Sequence, residues 1–64
     1  MRHSYNLSDS TGRVQRVYVH VEDGVGRVFL AGDYMEITDK LTDKERRRLT
    51  KRFKCVFHAN TKVN

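Results

Sequence analysis

Seven basic residues fall within eleven positions: Lys44, Arg46, Arg47, Arg48, Lys51, Arg52 and Lys54, with Glu45 the one acid among them. A block of this density favours a polyanion, which means nucleic acid, an acidic protein surface or an anionic lipid headgroup; it also suits a merely solvated helix face. Placed on a helix at about 100° per residue, Lys44, Arg47, Arg48 and Lys51 share one face. Arg46, Arg52 and Lys54 flank them. Such a ridge suits phosphates, which give affinity and register but carry no base sequence. The helix has no Asn or Gln beside an arginine to read base edges. Asp43 and Glu45, at its start, repel phosphates there.

A second group is spread over the segments before it. Tyr18, Phe29 and Tyr34, interleaved with Arg16, His20 and Arg27, combine flat rings with cations. Rings and arginines of this kind stack on unpaired bases. They are equally the residues enriched at protein interfaces, where a partner or a second copy of the chain would dock. A third alternative is internal cover by residues 1–7 or by the last segment.

Other reactive residues lead less far. Cys55-x-x-His58 has half the spacing of a zinc site, and His3 and His20 lie elsewhere, but no second ligand pair appears, so no metal or cofactor is expected. Cys55 with His58 or His20 would make a nucleophile and base, and His20 with Tyr18 and Arg27 would make a metal-free RNA-cleaving set. Spacing supports neither, and geometry must decide. Asp33, Glu36 and Asp39 share a face only if residues 33–40 are helical. Gly24 and Gly26 belong to no phosphate-binding loop. The expectation is a protein that is not an enzyme.

The elements that must carry these groups are small. The chain has 64 residues, with 13 Lys and Arg against 8 Asp and Glu, a net charge of +5. One domain is the ceiling, and its core must be thin, because so short a chain buries only about 60% of its unfolded surface. Val, Leu, Ile and Phe make up a quarter of the residues, above the roughly 20% below which disorder is expected. A single cysteine excludes a disulfide framework within the chain. Residues 1–12 lack the apolar run of a signal peptide. The longest apolar run, Val28–Ala31, is far short of the roughly 20 residues that cross a bilayer. The expected setting is cytoplasmic, without membrane contact. A basic chain of this size also fits a small accessory protein of a mobile element.

Residues 1–12 read as a flexible tail or a short edge strand through His3, Tyr5 and Leu7, residues 13–59 as one α+β domain, and residues 60–64 as a frayed end. Val17, Val19 and Val21 alternate with Tyr18 and His20, the period of a strand. Asp23-Gly24 is a strong hairpin signal. A two-residue loop opposes Val19 to Val28 and Val17 to Leu30; a four-residue loop opposes Val21 to Val28. Both keep the aliphatic residues on one face, as register demands. A second turn at Gly32-Asp33 would oppose Leu30 to Met35 and Val28 to Ile37, adding a strand. The competing reading makes residues 33–40 a helix, and two successive helices would permit a helix-turn-helix reader. Thr42-Asp43-Lys44-Glu45 is a capping box, opening a helix to Phe53 with Leu49 and Phe53 opposite the basic ridge. Cys55–Phe57 reads as a last short strand. The expected fold is α+β: an antiparallel sheet of three to four strands with one amphipathic basic helix packed on one face, in a βββαβ-like order.

Overall fold

The computed structural model describes residues 2–8 and 11–58. Three strands, β1 (Arg2–Ser8), β2 (Val14–Glu22) and β3 (Val25–Leu30), form an antiparallel sheet in the order β1-β2-β3. A single turn of 3-10 helix, Thr38–Lys40, follows, and then the helix α1 (Asp43–Phe53). The fold is a small α+β sheet, open at its edges, with one helix on one face.

The β2–β3 hairpin has the two-residue loop. Glu22 opposes Val25, Val19 opposes Val28, and Val17 opposes Leu30. Asp23 and Gly24 take φ of 54° and 77°, the pair of positive values that a tight hairpin turn with right-handed strand twist requires. The four-residue loop is excluded, because Val21 opposes Gly26 instead of Val28.

The third strand is β1, the edge strand through His3, Tyr5 and Leu7 that is the second of the two readings of residues 1–12. Tyr5 opposes Val17 and Leu7 opposes Gln15 across β1–β2. Leu7 thereby enters the core, and Tyr5 packs against it. The segment expected to add a strand after β3 does not extend that far. Phe29 and Glu36 form an isolated antiparallel bridge, in the register that sets Val28 against Ile37. Thr38–Lys40 then turns away as 3-10 helix, so neither a full strand nor the competing helix over 33–40 exists. Ile37 packs on the core as expected, but Met35 is 47% exposed and adds nothing to it. The last segment likewise shrinks to one parallel bridge, Val25 to Val56.

The core lies between sheet and helix. Val17, Val19, Val28 and Leu49 are fully buried, ringed by Leu7, Leu41, Cys55 and Phe57. Full burial of Leu49 contributes about 1.5–3 kcal/mol and fixes which side of α1 faces water. Gly26 makes room for the final segment: a Cβ there would overlap the Phe57 ring and sit 2.8 Å from the Cys55 sulfur.

Helix α1 starts and stops on local chemistry. The Thr42 hydroxyl accepts from the Glu45 N–H at 3.1 Å, and the Glu45 carboxylate accepts from the Thr42 N–H at 2.9 Å, a complete capping box. At the other end Lys54 takes a left-handed conformation and donates its N–H to the Thr50 carbonyl at 2.7 Å. An αL residue with this bond closes a helix.

Candidate nucleic-acid interface

The capping box and Leu49 set the rotation of α1, and rotation places the basic side chains. Lys44, Arg47, Arg48 and Lys51 are all exposed on the side away from the core. Among the described residues none of the four pairs with a carboxylate. Arg52, also exposed, lies beside the ridge with its guanidinium 5.7 Å from the centre of the Phe53 ring. Lys54 is exposed beyond the last helical turn.

Arg46 does not join them. Its side chain is only 17% exposed and turns toward the 38–41 segment. It donates to the Thr38 carbonyl at 3.3 Å, the Leu41 carbonyl at 3.1 Å and the Asp43 carboxylate at 3.3 Å. Its Nε–H is buried without a partner among the described residues. Arg46 therefore ties the start of α1 to the 38–41 segment. The signal was present in the helical spacing: at about 100° per residue Arg46 lies only about 20° from Phe53, inside the apolar stripe.

The second group comes together on the opposite face of the sheet. Side chains alternate sides along a strand, so Arg16, Tyr18 and His20 of β2 share a face with Arg27 and Phe29 of β3. Tyr18 opposes Phe29 directly, and His20 opposes Arg27. Tyr34 folds over this face and stacks on Tyr18, with ring centres 5.6 Å apart and planes within 18°. It holds a φ of 60°, uncommon for a bulky residue, braced by its N–H donating to the Leu30 carbonyl at 2.9 Å. Arg2, which sequence reasoning left out, places its guanidinium 4.9 Å from the Tyr18 ring centre. The strand period of residues 2–8 would have found it once β1 was recognised. Arg2, Tyr18, His20, Phe29 and Tyr34 line a shallow cleft of about 200 Å³. Among the described residues neither the β1 strand nor residues 54–58 lie across this face: β1 sits beside β2 in the sheet, with only the Arg2 side chain reaching over Tyr18, and Val56 pairs with Val25 at the outer edge of β3.

Arg27 is occupied. It makes a two-point contact with Glu36, at 2.9 and 3.2 Å, and lies 5.6 Å from the Phe29 ring centre. The bond from Arg27 holds the Glu36 carboxyl below its ordinary range, and the Thr38 hydroxyl, donating at 2.9 Å, adds to this against partial burial. Arg27, Glu36, Thr38, Asp39 and His58 line a larger cleft of about 420 Å³ beside Val25 and Gly26.

The remaining reactive groups are dispersed. Cys55 is buried, and burial pushes its thiol above the usual range, away from the nucleophilic thiolate. His3 packs its ring 5.2 Å from Phe53 on the helix side of the sheet, whereas His20 is on the other side, 3.7 Å from Glu22. Among the described residues no three His, Cys, Asp or Glu side chains gather as a metal site would need. No described helix is long and apolar enough to cross a membrane.

The two surfaces are thus back to back, a cationic ridge on α1 and an aromatic face on the sheet, across a molecule of 30 × 27 × 24 Å. Set against family models, curated proteins and solved structures, the chain matches none.

Proposed function

We propose that the protein is a non-catalytic nucleic-acid-binding module that holds phosphates along Lys44, Arg47, Arg48 and Lys51. The observation that carries this reading is that all four cations share the solvent side of α1 and none is neutralised by a neighbouring described carboxylate. Leu49 and Phe53 pin the other side of the helix to the core, so the ridge is presented without rearrangement. Lys51, Arg52 and Lys54 lie in or just past the last turn, where the helix dipole favours cations. Phosphate binding of this kind is tolerant of sequence. The aromatic face supplies flat rings for unpaired bases, with Arg2, Arg16 and His20 around them. A rigid duplex reaches one of these surfaces at a time, whereas a single strand can bend around the molecule.

The test is fluorescence anisotropy of labelled duplex and single-stranded DNA and RNA at increasing salt. Four phosphate contacts on a duplex give a slope of about −3.6 in log affinity against log salt, an affinity loss of about 150-fold between 50 and 200 mM. The folded triple variant Arg47→Glu, Arg48→Glu, Lys51→Glu should abolish binding. Unchanged binding by that variant, or none by the natural chain at low salt, overturns the reading.

A second reading has its own observation. Tyr34 is 57% exposed on the aromatic face, and the neighbouring Met35 is exposed as well. These fit a protein partner with an acidic rim for the arginines. Tyr18→Ala and Phe29→Ala would then weaken a protein complex whose salt dependence is shallower than that of phosphate binding.

A further inference from the structure

The two edges of the sheet are treated differently by the rest of the chain. The outer edge of β3 is covered along its length. Leu30 N–H donates to the Met35 carbonyl at 2.9 Å, and the Ile37 N–H to the Val28 carbonyl at 2.8 Å. Val28 N–H donates to the Thr38 hydroxyl at 2.8 Å. Gly26 N–H donates to the Val56 carbonyl at 2.8 Å, and Val56 N–H returns to Gly24 at 2.9 Å. On β1, by contrast, nothing among the described residues pairs with the outer edge.

Which groups of β1 are left open follows from alternation. In an antiparallel pair, residues that exchange both hydrogen bonds alternate with residues that exchange none. The tight loop makes Glu22 and Val25 an exchanging pair, so His20–Arg27 and Tyr18–Phe29 are exchanging pairs too. The Ala31 N–H, donating to the Arg16 carbonyl at 3.1 Å, continues this series. The odd residues of β2 must then serve β1, through Val19–His3, Val17–Tyr5 and Gln15–Leu7. Arg2, Ser4, Asn6 and Ser8 therefore point their N–H and C=O groups outward.

We propose that this edge pairs with the same edge of a second copy, joining two sheets into one of six strands across a twofold axis at Tyr5. In that register Ser4 opposes Asn6 of the second copy, Arg2 opposes Ser8, and His3 opposes Leu7. No two like charges meet, and the strand is complementary to itself, its inner residues facing inner residues. Most devices that keep natural edges apart are missing: β1 runs seven residues with no Pro, Gly, Lys or acid, and its one permanent charge, Arg2, stands at the end of the strand. A second, independent feature lies at the same edge. His3, Tyr5 and Phe53 are only half-buried there, with ring centres 5.2 and 5.7 Å from Phe53. A second β1 would cover them. The pairing does not depend on nucleic-acid binding, and salt separates the two. Added salt screens the repulsion between two +5 chains and strengthens the dimer, while it weakens phosphate contacts.

Sedimentation equilibrium over micromolar to millimolar concentrations tests the association. Asn6→Pro removes an outward N–H and no bond of the β1–β2 ladder, and an edge strand accepts proline at such a position. It should leave the far-UV spectrum unchanged and abolish the dimer. Tyr5→Cys tests the register. Its opposite number would lie at a Cα separation of about 4.5 Å, within the range a disulfide spans, so oxidised glutathione should link it into a covalent dimer. Asn6→Cys, facing Ser4 of the second copy, should not link. A monomer at every concentration and salt overturns the proposal. So does a dimer that survives in folded Asn6→Pro. If that variant unfolds, failure of Tyr5→Cys to link above the Asn6→Cys level overturns it instead.

Discussion

Replacing Thr38 by valine tests the account of how the open side of β3 is closed. Thr38 is buried, and its hydroxyl does two jobs: it accepts from the Val28 N–H at 2.8 Å and donates to the Glu36 carboxylate at 2.9 Å. Valine keeps the shape and removes both. The Val28 amide is then a buried donor without an acceptor, which costs about 1–3 kcal/mol. A domain of this size has only about 3–10 kcal/mol of stability in total, and at about 4–8 °C per kcal/mol the melting temperature should fall by about 5–20 °C. Thr38→Ser keeps the hydroxyl and loses one methyl, about 0.8 kcal/mol, so it should melt above Thr38→Val. The site-specific readout is amide hydrogen exchange: Val28 should lose protection in Thr38→Val more than Val19, whose amide lies in the β1–β2 ladder. A valine variant as stable as the natural chain, with Val28 still protected, would show that the Thr38 hydroxyl does not hold the Val28 amide.

Gly26→Ala should destabilise the fold by about 1–3 kcal/mol through overpacking against Phe57 and Cys55, seen as a lower urea midpoint. Thr42→Ala should cost about 0.5–2 kcal/mol by breaking the capping box, read as lost helical circular dichroism on warming. Glu36 is held below its ordinary range, so its contribution is present above the unfolded carboxyl value and is lost as pH falls through the folded one; melting temperature should drop on acidification, and less so in Glu36→Gln. Burial should make Cys55 slow to react with a thiol reagent in the folded chain and fast in denaturant.

The legible parts of this molecule are those set by neighbours in sequence. Asp23-Gly24 and the alternating valines specify the hairpin and its register, because turn geometry and a two-residue period leave one face for the core. The capping box and the Leu49–Phe53 spacing specify α1 and the side on which Lys44, Arg47, Arg48 and Lys51 emerge. The Phe29–Glu36 bridge sits in the register that the Gly32-Asp33 turn implies.

Other features depend on contacts between distant residues. β1 has no β-branched residue, and it becomes a strand because β2 offers an edge and the core accepts Leu7. Residues 38–40 leave the sheet because the Thr38 side chain supplies the acceptor that another strand's backbone would have provided. Arg46 and Arg27 look like free cations in sequence, yet carbonyls at 38 and 41 engage one and Glu36 the other. Residue types and short spacings determined by themselves a basic helix, a hairpin and an aromatic face. Only the packed structure decided that ridge and rings lie on opposite sides, that two of the cations are already spoken for, and that one sheet edge is sealed while the other is open. The reason is physical: turn, cap and period act through bonds between near neighbours, whereas burial and edge pairing depend on which distant groups arrive to satisfy them.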